Sequence, residues 1–93
     1  MVFTKRLRER VMQGEITCSV RIWQKPHVKL GGRYALAPGQ IEVTGIREIG
    51  FEGITPELAR RSGFEGMVDL LKTARHGPGE RVYLVEFAYR PGV

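Results

Sequence analysis

The stretch Gly14-Glu15-Ile16-Thr17-Cys18-Ser19-Val20-Arg21-Ile22-Trp23 decides how this chain folds. Read with a period of two, it predicts a strand over 16–23 with two unlike faces. Ile16, Cys18, Val20 and Ile22 form an apolar face, while Thr17, Ser19, Arg21 and Trp23 form the other. A half-buried strand needs only that its outer face be polar. Two hydroxyls, a guanidinium and an indole in a row are also what a site for a base and a phosphate would use. The expectation is therefore an outward row of ligand contacts and an inward, unreactive Cys18.

The flanking sequence places this strand in an α-β-β-β-α-α-β order. Before it, Phe3, Leu7 and Val11 recur at four-residue spacing, which predicts a helix over Lys5–Gln13 capped by Thr4 and stopped by Gly14. After it comes a basic loop, 24–30, in which Pro26 argues against an interior strand. Gly31-Gly32 turns into a short strand, Arg33–Ala37, and Pro38-Gly39 turns again. Ile41 and Val43 share one strand phase and Ile46 the other, so Thr44-Gly45 marks a β-bulge in a long bent strand over 40–49. Thr55-Pro56 caps a short helix that runs to Arg61 and ends at Gly63. Phe64, Met67, Val68 and Leu71 predict one buried face of a longer helix ending near His76-Gly77, before a turn at 77–79. The last strand, Val82–Tyr89, is apolar on both faces except at Glu86 and should be central. Strands that bend through a bulge favour a small α+β fold, with a strongly curved sheet or β-barrel and helices outside. Tyr34, Tyr83 and Tyr89 are expected to pack that sheet.

The 93 residues predict a single domain, 1–93, with the 42% hydrophobic and 27% charged content of an ordinary globule. Cys18 is the only cysteine, so an intramolecular disulfide is excluded. With His27 and His76 as the only histidines, no convincing Cys/His zinc site can be assembled, and neither metal nor cofactor is expected. Residues 1–6 carry no apolar signal core, and no run approaches membrane-spanning length. These features predict a cytoplasmic protein with no membrane partner.

Charge is unevenly spread. Residues 1–33 carry eight basic side chains against Glu9 and Glu15, a net of +6, whereas residues 34–93 carry seven basic and eight acidic ones. A local basic field of this kind attracts polyanions, nucleic acid first among them. The competing reading is a helix and loop that carry cations for solubility.

A small helix ending in glycine, followed by a strand of pattern G-x-K-x-x-E/T-x-R, resembles the ASCH domain family, whose fold is a PUA-like β-barrel. The glycine here is Gly14 and the arginine Arg21. Further matches are Gly31-Gly32-Arg33-Tyr34, the Gly63-Phe64 that opens the last helix, and the closing strand Val82-Tyr83-Leu84-Val85-Glu86-Phe87, so that the resemblance covers nearly the whole chain in order and approximate spacing. It implies a PUA-like fold. Its acetylcytidine amidohydrolase members are thought to use the lysine, a threonine two residues before the arginine, and a carboxylate just ahead of the last helix. Here those places hold Ile16, Ser19 and Ser62, with Glu65 the nearest acid. A hydroxyl is a poor nucleophile without a base in reach, so the departures argue against catalysis.

The sequence thus predicts an RNA- or single-stranded nucleic-acid-binding module, with a nucleoside-like small ligand as a variant. Arg21 would take a phosphate or base edge, Trp23 a base face, Ser19 a hydroxyl contact, and Lys25 and Lys29 the backbone. Two alternatives stand beside it. One is a hydrolase or nuclease acting on a modified nucleoside or RNA through Ser19 and Arg21. The other is a protein-interaction module whose basic surface meets an acidic partner. Arg21 could instead pair structurally with Glu42 or Glu86, Trp23 could instead shield the core at the barrel end, and Arg60 and Arg61 could simply favour the end of their helix dipole.

Overall fold

Phe3, Leu7 and Val11 are all buried, and the last two anchor the first helix, α1 (Lys5–Met12). Gly14, at φ 79°, ends it: its N–H donates to the Val11 carbonyl (3.1 Å), and the Glu15 N–H donates to that of Arg10 (2.9 Å). This Schellman closure needs a left-handed residue just past the helix, which is why glycine stands there. The computed structural model describes residue 3, residues 5–73 and residues 80–91. The expected Thr4 cap, His76 and the turn at 77–79 lie outside the described residues.

Four strands, β1 (Cys18–Trp23), β2 (Arg33–Leu36), β3 (Gly39–Glu48) and β4 (Arg81–Arg90), form one antiparallel sheet in the order β1-β4-β3-β2. β4 is internal, as its two apolar faces require. The β3–β4 register slips between Val43 and Gly45, leaving Thr44 as the extra residue of a bulge. A bulge adds local bend and twist, and the sheet curls into a half-barrel rather than closing. The β2–β3 hairpin turns at Ala37-Pro38, through a cis peptide, one residue earlier than expected.

Between β3 and β4 lie a 3₁₀ turn (Phe51–Gly53) and two helices, α2 (Pro56–Arg61) and α3 (Met67–Thr73). Thr55 caps α2 by accepting the Leu58 N–H at 3.1 Å, with proline at the first helical position. Gly63, at φ 89°, closes it: Gly63 donates to Arg60 (3.0 Å) and Phe64 to Ala59 (2.9 Å), and Phe64 and Ala59 share one apolar core. Phe64 is therefore the hydrophobic anchor of the α2 closure, not the first residue of the next helix. That corrects the expected stripe on α3: Leu70 is fully buried, Met67 half-buried, and Val68 and Leu71 exposed.

The sheet is covered on both faces. One core joins Phe3, Leu7, Val11, Val28, Tyr83, Val85 and Phe87, with α1 and the loop 24–32 over the sheet; Tyr34 and Tyr89 pack at its edge. The other joins Cys18, Val20, Ile22, Val82 and Leu84 to α2, Phe64 and α3. Ile16 does not share the Cys18 face as expected. Its N–H bonds to the Arg10 carbonyl (3.3 Å), so it belongs to the α1 closure and packs in the α1 core. None of the helices among the described residues is long and apolar enough to cross a membrane.

Candidate functional site

Ser19, Arg21 and Trp23 do share one face of β1, opposite Val85, Tyr83 and Arg81 of β4. The expectation that this face is open to solvent is corrected: Ser19 is 3%, Arg21 9% and Trp23 3% exposed. Phe3, leading into α1, and Val28, in the loop, lie in the core on this side. Alternation in sequence distinguishes two faces but cannot tell solvent from a covering helix.

Two polar groups of the row meet in the interior. Arg21 Nε donates to Ser19 Oγ at 2.8 Å, and the guanidinium carbon lies 5.4 Å from the centre of the Phe3 ring. A charge-assisted hydrogen bond and a ring face both offset the desolvation of a cation. Burial pulls the Arg21 guanidinium below its ordinary pKa. Neither Glu42 nor Glu86 is the partner the sequence offered for it. Glu42 pairs with Arg90 (3.2 Å) and Arg33 (4.0 Å), and Glu86 stands opposite Cys18, in register on the other face of the sheet.

The groups implied by the amidohydrolase resemblance do not meet. Ser62 is buried against Cys18 (Oγ to Sγ 3.8 Å), on the face opposite Ser19. Glu65 is exposed and pairs with Arg6 at 3.5 Å. Among the described residues no carboxylate, lysine or histidine hydrogen-bonds Ser19, whose hydroxyl accepts from Arg21. Cys18 is buried, as expected.

Trp23 leads to a residue the sequence did not single out. The exposed His27 ring lies flat on the indole, with centroids 4.7 Å apart and planes at 17°, while Tyr83 packs at 6.0 Å. The aromatic surface presented outward is thus an imidazole backed by tryptophan. Two aromatic rings four residues apart, across Pro26, were the available signal. Lys25 and Lys29 are exposed on either side of His27 in sequence.

This loop is held in place. Val28 is buried, the Lys29 N–H donates to the Tyr34 hydroxyl (3.1 Å), and Gly31 and Gly32 exchange backbone bonds with Val43 at 2.8 and 2.9 Å. A Cβ on Gly32 would come within 2.6 Å of the Tyr34 hydroxyl, so glycine is needed for this close approach. Lys5, Arg8, Lys25 and Lys29 are exposed and pair with no carboxylate among the described residues. In contrast, Arg6, Arg10 and Arg33 are paired with Glu65, Glu15 and Glu42. Away from β1, a cleft of about 330 Å³ opens between the end of β3 and α2. The chain matches no family model, no curated protein and no solved structure.

Proposed function

We propose that this chain is a single-stranded nucleic-acid-binding domain of the ASCH-like, PUA-like type, with RNA as the preferred ligand on the strength of that resemblance. Its binding surface is the loop 24–32 with the neighbouring α1. One observation carries the reading: exposed His27 lies flat on buried Trp23 and is flanked by Lys25 and Lys29. A base stacks on the outer face of the imidazole, as bases do on aromatic platforms, and the lysines meet the adjoining phosphates. Lys5 and Arg8 lie on the element covering the same sheet face and extend the cationic track. Because the loop is pinned at Val28, Lys29 and Gly31, little ordering cost is left for binding. Ser19 and Arg21 lie buried on the strand beneath this surface, with the Arg21 guanidinium against the Phe3 ring.

Fluorescence anisotropy with labelled oligouridylate and oligodeoxythymidylate, repeated across salt concentrations, tests the proposal. Three or four phosphate contacts give a slope of log affinity against log salt of about −2 to −3, at ~0.7 per contact. His27→Ala should weaken binding by ~1–3 kcal/mol with the slope unchanged. Lys25→Ala should instead flatten the slope by ~0.7. Absence of binding at low salt, or variants that bind as wild type does, would overturn the proposal.

A further inference from the structure

The cleft between β3 and α2 has a chemistry of its own. Arg47, near the end of β3, and Arg61, in the last turn of α2, both line it. Both are exposed, and neither pairs with a carboxylate among the described residues. Glu57 lines the same cleft yet pairs with neither arginine. Ile49, Leu58 and Leu84 give it an apolar wall. Gly53 completes the lining: a Cβ there would lie 2.9 Å from the Ile49 Cβ, so the 3₁₀ turn can pack this closely only with glycine.

We propose that this cleft binds a small organic oxyanion, a phosphate or carboxylate carried on a partly apolar body with a hydrogen-bond donor. Planar guanidinium groups match the two-oxygen edge of such an anion. The apolar wall receives the body, and Glu57 accepts from the donor. A volume of about 330 Å³ is at the lower end for small-ligand pockets, which suits one mononucleotide-sized molecule rather than a chain. Arg47 stands in register with Leu84, whose side chain belongs to the α2 and α3 core, whereas Arg21 stands opposite Tyr83 on the α1 side. The cleft is therefore separate from the surface proposed for nucleic acid, and the two can be tested independently.

The test titrates the full chain with adenosine monophosphate, adenosine, inorganic phosphate and N-acetylglycine, following amide shifts of Arg47, Gly53 and Arg61 by NMR. Adenosine monophosphate or N-acetylglycine should shift these amides with a dissociation constant in the millimolar range or tighter, and whichever binds identifies the anion as phosphate or carboxylate. Arg47→Ala and Arg61→Ala should each weaken that binding about tenfold or more, as loss of a charged hydrogen-bond donor does. Adenosine should bind at least about tenfold more weakly than its monophosphate. Lys25→Ala should leave the titration unchanged. No shift from either organic anion at about 10 mM, binding by inorganic phosphate alone, or equal binding in wild type and both arginine variants would overturn the proposal.

Discussion

Replacing Ser19 by alanine should destabilise the fold far more than deleting one hydroxyl normally does. Its Oγ accepts the Arg21 Nε–H at 2.8 Å in an interior where both residues are almost inaccessible. Without it, the Arg21 Nε–H loses this acceptor at a site shielded from water, and a lost hydrogen bond to a charged group costs ~2–3 kcal/mol. Unfolding entropy of ~2.1 cal/mol/K per residue, applied to this chain length, gives ~0.2 kcal/mol/K in total. The midpoint of thermal unfolding should therefore fall by ~10–15 °C. Arg21→Met removes the buried charge together with its need for a partner and should change stability by only ~1 kcal/mol, because apolar replacement of a buried ion is often neutral. Adding Ser19→Ala to Arg21→Met should then cost little more, giving a coupling energy of ~2 kcal/mol in the double-mutant cycle. Calorimetry or chemical denaturation of the four proteins measures this. Additive effects, or a Ser19→Ala protein as stable as wild type, would refute the idea that this hydrogen bond stabilises the buried pair. Loss of oligonucleotide affinity in Ser19→Ala, measured well below its unfolding midpoint, would show that the pair touches ligand after all.

Three further expectations rest on single residues. Cys18, buried on the α2 and α3 face, should resist thiol reagents in the native protein and react fully in denaturant; rapid native labelling would contradict the burial. Gly63→Ala should cost ~2–4 kcal/mol in denaturant unfolding, since it combines a left-handed backbone with overpacking. Its new Cβ would lie 2.7 Å from both Ile16 Cδ1 and Leu7 Cδ2, and a change under ~1 kcal/mol would mean that these side chains yield freely. Thr55→Ala should cost ~1 kcal/mol through loss of the bond to the Leu58 N–H, and a thermal midpoint equal to wild type would show that water replaces the cap.

Local rules made several elements legible in the sequence. The phase slip at Thr44 located the bulge, Thr55-Pro56 located the start of α2, and Gly14 and Gly63 located two helix closures. β4 could be placed inside the sheet because both of its faces are apolar. What stayed hidden was which polar groups would be covered. Ser19 and Arg21 look like surface residues because each is polar, yet at a two-residue spacing on one strand face they can satisfy each other. The same limit applied to Trp23, whose outer face is taken by His27 from a loop that a strand period does not describe. The error on α3 had a different source. Phe64 fits a helical stripe by spacing, but the Gly63 turn hands it to the preceding helix, and the stripe then falls on Val68 and Leu71 instead of Leu70.

The central claim is that nucleic acid meets the loop carrying Lys25, His27 and Lys29, outside the buried Ser19–Arg21 pair. The most direct measurement is a backbone NMR titration of the full chain with a short oligouridylate at low salt. Perturbed amides should cluster in residues 24–32 and along α1, with His27 among the largest, while 47–61 stays unchanged. Perturbation centred on Arg47 and Arg61, or shifts scattered over the surface with none at His27, would contradict the claim.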